Sequence, residues 1–253
     1  MKRIFGILTL VLIATCAFAQ NGQRGQLKVG ASKIDVTIDE KDLPETSYGI
    51  LDQNHVRVIL FTNGSTTAGF VNVDGNFNGQ TATAINERAE KELGIPKGNI
   101  LYSGTHCHYT GVVRGDELTE RVWKAVKDAY NKMVPAEVGF GNGVCYLNVK
   151  RDLFDPERGT WWEGPDYDGK SDKTVSVMYF RSLDGKPIAV YYNYAMHAVI
   201  TGQLDRVSQD FPGKSEAYIE AANGDGFVAM FTTGAAGDQN PIYFQQTFDL
   251  RDI

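Results

Sequence analysis

Three of the four histidines lie where their imidazole side chains could share a metal ion. His106 and His108 follow an apolar segment, residues 99–103, that is expected to form a short buried strand. If the backbone stays extended, side chains two positions apart point the same way, so both can bind one metal, or one can bind it while the other faces a substrate. His197 ends another predicted strand. Imidazole is a common zinc ligand, and a catalytic zinc needs three protein ligands and an open position.

The competing interpretation is that each histidine is an ordinary surface or hydrogen-bonded core residue. The pair after one strand and the third after another strengthen the case for a metal site and leave the two interpretations evenly balanced. His55 precedes a strand in a polar segment and is assigned no role.

Residues 234–241, rich in glycine and alanine, follow a further apolar strand, and small residues let a backbone approach a ligand closely. Asp238 in this segment could orient a histidine, although the composition favours a turn.

Strand and helix patterns alternate along the chain, and hairpins are present too. This combination predicts an α/β or α+β domain with mixed sheets. A segment rich in Gly, Asp, Pro and Trp, residues 152–173, is predicted to be a long irregular loop. The predicted strands are 56–62, 67–73, 99–103, 138–140, 174–181, 187–194 and 227–232, and the predicted helices are 81–93, 116–133 and 212–222.

The first 19 residues have the anatomy of a secretory signal peptide. Lys2 and Arg3 precede an apolar run at 4–13, and Ala-Phe-Ala at 17–19 fits the cleavage pattern. The expected mature chain is therefore 20–253, in a secreted or periplasmic protein. The alternative is a lipoprotein acylated at Cys16.

Charge and cysteine content narrow the function classes. The net charge of −6 becomes −8 when Lys2 and Arg3 leave with the signal peptide, and an acidic protein is a poor partner for the phosphates of nucleic acid. No later apolar run is long enough to span a bilayer. Once Cys16 is removed, Cys107 and Cys145 can form one disulfide or remain free thiols.

Five segments in order resemble motifs of the neutral/alkaline ceramidase family. Residues 103–111, Ser-Gly-Thr-His-Cys-His-Tyr-Thr-Gly, resemble the family's Ser-x-Thr-His-x-His-Ser-Gly. The other four are 33–37 (Ala-Asp-Ile-Thr in the family), 193–197 (Asn-x-x-x-His), 208–213 (Ser-x-Asp-x-x-Gly) and 237–241 (Gly-Asp-Val-Ser-Pro). The resemblance thus extends from about Gly30 to Pro241.

This resemblance implies a secreted or membrane-associated zinc amidase that hydrolyses the N-acyl bond of ceramide. It implies zinc ligation by His106 and His197, with His108 facing the substrate to polarise or protonate it. Residues 148–151 match the family's Asn-x-Asn-Arg, which would place Arg151 near the scissile group as an oxyanion-stabilising cation. It also implies a layered α/β fold with two stacked sheets flanked by helices, a lipid amide substrate, and contact with a membrane surface through that substrate.

The sequence departs from the family pattern at two points. The other two zinc ligands of the family, a Glu and a Tyr, would lie beyond Ile253, so the resemblance implies that 20–253 is the N-terminal part of the catalytic domain. Asn240 replaces the Ser proposed as a nucleophile, and an amide side chain cannot take that role. Water activated by a metal still could attack a carbonyl.

Three hypotheses follow. The first is a zinc-dependent hydrolase of a C–N amide bond, with His106 and His197 as ligands and His108 and Arg151 stabilising developing charge. The second, motivated by Asn240, keeps zinc but changes the substrate to an ester, a lactone or a sugar N-acyl group. The third is a secreted, non-catalytic domain with a decayed site.

Overall fold

The computed structural model describes residues 25–242, so the predicted signal peptide and Cys16 lie outside the described residues. The α-helices are α1 (Gly79–Leu93), α2 (Gly115–Asn131) and α3 (Asp210–Asn223), and Glu40–Asp42 and Ile200–Leu204 form short 3₁₀ helices. The strands are β1 (Lys28–Asp35), β2 (His55–Thr62), β3 (Thr67–Val73), β4 (Ile100–Gly104), β5 (Val134–Val144), β6 (Asn148–Asp155), β7 (Thr160–Asp166), β8 (Thr174–Ser182), β9 (Pro187–Tyr194), β10 (Val228–Thr233) and β11 (Gln239–Pro241).

The larger sheet has eight strands in the order β10-β9-β8-β5-β1-β2-β3-β4. Neighbouring strands are antiparallel except β3 with β4 and β9 with β10, which are parallel. β1 and β5 pair only through Lys28 with Pro135 and Val29 with Val134. β10 contacts β2 and β3 although it lies far from them in the strand order. The sheet therefore turns back on itself at this short junction. Two stacked layers result, one of β1–β4 and one of β5 and β8–β10.

Apolar side chains fill the space between the layers and cover their outer faces. Alternation along β2 sends Ile59 into the space between the layers and Leu60 outward, towards α1 and α2, as expected for a strand with a period of two residues. In β10, Met230 points inward and Phe231 packs outward, towards α3. The predicted mixed α/β fold, with stacked sheets flanked by helices, is therefore confirmed.

A second, three-stranded sheet has the order β11-β6-β7 and is antiparallel. The prediction of a long irregular loop over 152–173 is wrong, since β6 continues to Asp155 and β7 follows from Thr160. The physical reason is that this hairpin is largely exposed: Trp161 and Trp162 are 65% and 52% accessible. Backbone pairing and a contact between Phe154 and Trp161 hold the hairpin together. Its sequence therefore lacks the alternation of apolar and polar residues that burial of one face produces.

A buried group of charges joins β2 to α3. Arg57 is 1% exposed, and its Nη2 lies 2.8 Å from Glu216 Oε2 while its Nη1 lies 3.5 Å from Asp74 Oδ1. Glu216 Oε1 also accepts a hydrogen bond from the Phe231 amide of the edge strand β10. Burial raises the pKa of Glu216 to about 8, against the opposing effect of Arg57. One buried cation thus faces two fully buried carboxyl groups. This arrangement favours retention of one proton by the two carboxyl groups.

Candidate metal centre

His106 is placed by the end of β4, the edge strand that runs parallel to β3. Its backbone N–H donates to the carbonyl of Gly75 at 3.0 Å, and its φ of 59° is left-handed. Gly104 allows this approach, because a Cβ at that position would lie 2.1 Å from the Gly75 carbonyl oxygen. The extended backbone assumed for His106 and His108 in the sequence analysis is therefore wrong; a turn presents the two rings instead.

His108 and His197 are tied to the same place by backbone hydrogen bonds. The His108 N–H donates to the carbonyl of Ala198, at 3.4 Å, and the His197 N–H donates to the carbonyl of Gln239, at 3.0 Å. His197 follows the end of β9 and is buried, whereas His108 is exposed. The chain thus brings one histidine from each sheet layer to a common point, with His108 on the solvent side.

The three imidazoles converge closely enough to hold one ion. One candidate ligand atom from each ring lies within 4.8 Å of the other two. The Nε2 atoms of His106 and His197 are 3.2 Å apart. Two nitrogens bound to a tetrahedral zinc at 2.0–2.1 Å would lie about 3.3 Å apart. The same distance suits a hydrogen bond between the two rings when one Nε2 carries a proton, so metal binding requires both to be deprotonated.

The surroundings favour neutral imidazoles at this point. Asn76 Oδ1 lies 3.3 Å from Nδ1 of His106 and can accept a hydrogen bond from a protonated Nδ1, which leaves Nε2 free as a ligand. The pKa of His106 is lowered by burial and then by the charges of His108 and Arg151. The pKa of His197 is lowered by burial and by Arg151, while the nearby backbone of Ala236 and Gln239 raises it. Neutral rings are the form that coordinates metal.

Arg151 acts on this centre from β6. Its charge influences both His106 and His197, and its backbone N–H donates to the carbonyl of Asp238 at 2.8 Å. Its guanidinium lies 3.5 Å from the carboxylate of Glu163. The structure therefore brings all four sequence-predicted residues together, with Arg151 beside the histidine group rather than within it.

Asn148 joins the β6 strand to the end of β9. Its buried side chain donates to the Ala195 carbonyl at 2.6 Å and to Gln239 Oε1 at 2.8 Å. The Asn148 backbone N–H also donates to the Tyr194 hydroxyl, at 3.0 Å. These bonds hold the strand that carries Arg151 against the segment that carries His197.

Sequence reasoning missed two residues of the centre, Asn76 and Glu163. Asn76 lies in a loop 30 residues before His106, and no local pattern marks it.

The Asp238 segment forms the predicted turn, with residues 237–238 in turn conformation. Cys107 is a buried free thiol whose Sγ lies 3.4 Å from the Ser208 carbonyl oxygen. It lies outside the group of candidate metal ligands, and Cys145 is free as well.

An open cleft of about 480 Å³ has Tyr109, the residue after His108, among its lining residues. Its lining includes the apolar side chains of Ile38, Leu43 and Val207. Among the described residues, no helix is long and apolar enough to cross a membrane.

Comparison with known proteins identifies similar sequences and folds. No protein family model matches the chain. Neutral ceramidase B of Dictyostelium discoideum is 25% identical over 171 residues, which cover 57% of this chain and 24% of the relative. The chain therefore spans about a quarter of the length of that curated relative.

Two solved structures share the fold. A crystal structure of neutral ceramidase from Pseudomonas aeruginosa has a TM-score of 0.72 and 19% identity, over 85% of this chain and 39% of that chain. A structure of ceramidase complexed with C2 has a TM-score of 0.72 and 18% identity, over 86% of this chain and 39% of that chain. The predicted resemblance to neutral ceramidases is thereby confirmed, in sequence over more than half of the chain and in fold over most of it.

Proposed function

We propose that the protein is a secreted, zinc-dependent hydrolase of the ceramidase type, which cleaves a C–N amide bond. The observation that carries the proposal is the 3.2 Å separation of Nε2 of His106 and Nε2 of His197. Those two residues are 91 positions apart in the chain, and the fold brings their ligand atoms to the spacing that a tetrahedral zinc ion requires. Similarity to ceramidases in sequence and fold supports the same reaction class.

Each residue of the centre has a defined task in this proposal. His106 and His197 hold the metal through neutral Nε2 atoms, and Asn76 fixes the tautomer of His106. When bound, zinc polarises a carbonyl group and lowers the pKa of water to about 7. His108, on the exposed side, faces the substrate and can donate a proton to the leaving nitrogen. Arg151 offers a fixed positive charge to the carbonyl oxygen as negative charge develops on it.

The substrate class proposed is a lipid amide. The cleft lined by Tyr109 is lined partly by apolar side chains and can accommodate a segment of an acyl chain. Such a substrate would bring the protein to a membrane surface.

Asn240 favours a second candidate, in which the metal chemistry is kept and the substrate is an ester, a lactone or a sugar N-acyl group. Asn240 is 2% exposed and donates to Glu163 at 2.8 Å, so its side chain is committed to a hydrogen bond and has no nucleophilic atom. A panel of matched amides and esters on the full-length protein separates the candidates. Turnover of a fluorescent ceramide with no turnover of any other substrate in the panel would eliminate the second one.

The central experiment measures metal and activity in the full-length protein and in His106→Ala. Wild type is expected to contain about one zinc per chain, and His106→Ala is expected to lose both zinc and amidase activity. The matched control is His55→Asn, a histidine outside the candidate group whose Nδ1 contacts Gln209 Nε2 at 2.6 Å. Asparagine can keep that contact, so its zinc content should equal that of wild type. A wild-type protein that contains no metal and regains none on incubation with zinc would disprove the proposal.

A further inference from the structure

The three-stranded sheet places Arg151 and Asn240 on the same face. Asn240 lies opposite Val149 in the ladder between β11 and β6, and directly opposed residues of an antiparallel pair share a face. Arg151 is two residues beyond Val149 and therefore projects to that face as well. The two polar side chains are thus diagonal neighbours, next to the strand end that carries His197.

Glu163 reaches the same region from β7, next to a β-bulge. The pairs Lys150 with Asp166 and Asp152 with Glu163 are two residues apart in β6 but three residues apart in β7. Glu163 lies directly opposite Asp152 in the ladder, immediately after the bulge. A bulge increases the local twist and redirects side chains, and the Glu163 carboxylate lies next to Arg151 at this irregularity.

The carboxylate contacts both neighbours. Glu163 Oε1 accepts a hydrogen bond from Asn240 Nδ2 at 2.8 Å and lies 3.5 Å from Arg151 Nη1. Asn240 is buried, and its Oδ1 has no hydrogen-bond partner among the described residues. The buried amide therefore fixes the carboxylate, and the carboxylate in turn limits the directions open to the guanidinium.

We infer that Glu163 is a positioning residue, which holds Arg151 at the candidate centre through a carboxylate anchored on Asn240. The inference rests on the proposed function, in which Arg151 stabilises negative charge on the substrate. Arg151 and Glu163 are 25% and 48% exposed at their side chains, so their ion pair contributes little to stability. The value of the pair lies in orientation, and its loss should affect turnover far more than folding.

The test uses zinc-loaded full-length protein, a fluorescent short-chain ceramide and a panel of fluorogenic acyl amides. Glu163→Gln is expected to lower kcat about 10- to 100-fold, with KM and zinc content unchanged and a melting temperature within about 2 °C of wild type. In an Arg151→Ala background, the same substitution should change kcat less than about twofold, because its effect passes through Arg151. Glu157→Gln, in the turn of the same hairpin, is the matched control and should behave as wild type.

Two kinetic results would overturn the inference. One is a Glu163→Gln enzyme with wild-type kcat; the other is a full loss of kcat from Glu163→Gln in the Arg151→Ala background. Crystal structures of Glu163→Gln and Glu157→Gln add a readout independent of activity. The Arg151 guanidinium should move or lose order only in the first, and an unchanged guanidinium there would also refute the inference. If wild type lacks metal and activity, the proposed function fails while these structures still decide the role of Glu163.

Discussion

Replacing Arg57 with methionine should destabilise the fold strongly and in a pH-dependent way. The guanidinium is 1% exposed and contacts Glu216 and Asp74 within 3.5 Å. Methionine fills a similar volume but leaves both carboxyl groups buried without their cation. The change also disturbs the candidate centre, because Asp74 precedes Gly75, the residue whose carbonyl binds the His106 amide.

The magnitude follows from the burial of the partners. Removing one member of a buried ion pair costs about 3 to 5 kcal/mol, because an uncompensated charge remains in the interior. For a domain of this size, each kcal/mol shifts the melting temperature by about 2 to 4 °C, so a decrease of about 6 to 20 °C is expected.

The sign of the pH dependence follows from the carboxyl groups. Burial raises the pKa of Glu216 to about 8 and that of Asp74 to about 6, and Arg57 opposes both shifts. A carboxyl group with a raised pKa takes up a proton on folding, so the free energy of unfolding falls as pH rises from the ordinary pKa to the raised one. Without Arg57 both pKa values rise further. The deficit of Arg57→Met should therefore be larger at pH 8 than at pH 5.

Urea unfolding followed by circular dichroism at pH 5 and pH 8 measures this deficit. The matched control is Lys33→Met, which removes a cation from Glu220 in the same region. Lys33 is 35% exposed at its side chain, so its loss should cost less than about 1 kcal/mol. The reasoning is refuted if Arg57→Met lies within about 1 kcal/mol of wild type, or if its deficit is the same at both pH values.

Two further predictions concern the metal centre. Gly104→Ala should displace the His106 loop, because its Cβ would lie 2.1 Å from the Gly75 carbonyl oxygen; we expect a loss of kcat on the order of 100-fold. Gly139→Ala, where a Cβ meets nothing within 4 Å, is its control and should match wild type. Zinc affinity, measured by competition with a fluorescent chelator, should stay level from pH 8 to about pH 6.5 and fall below it, since burial lowers the pKa of His106 and His197. A fall that begins between pH 8 and pH 7 would contradict the second prediction.

The parts of the fold that were predictable from sequence are those with strong local patterns. The hairpin of β2 and β3 was predicted over 56–62 and 67–73 and begins only one residue earlier, at His55. Its apolar strands and the Asn-Gly turn are local signals. β1 was missed, although it lies between β2 and β5, and the exposed β7 was taken for a loop. The position of β1 depends on pairing with β2 and β5, which a short window of sequence does not contain. The exposed β7 lacks the hydrophobic alternation that burial of one face produces.

The candidate site was predictable only in part for the same reason. The convergence of His106 and His197 was expected from the family resemblance, and strand ends were a sound guide to where the two histidines lie. The geometry of the 106–108 pair depends on a left-handed residue at His106, which no residue type at that position predicts. The support from Glu163 depends on contacts with Arg151 of β6 and Asn240 of β11, and no local pattern of residues marks such contacts between strands.

The metal centre also bears on how the two sheet layers are held together. His106 comes from the layer of β1–β4 and His197 from the layer of β5 and β8–β10, whose backbones are paired through two residue pairs only. An ion coordinated by both histidines would cross-link the two layers. The second layer is also later in the chain, so the two histidines meet only after that layer has docked, and a metal bound by both would report that the two layers have assembled.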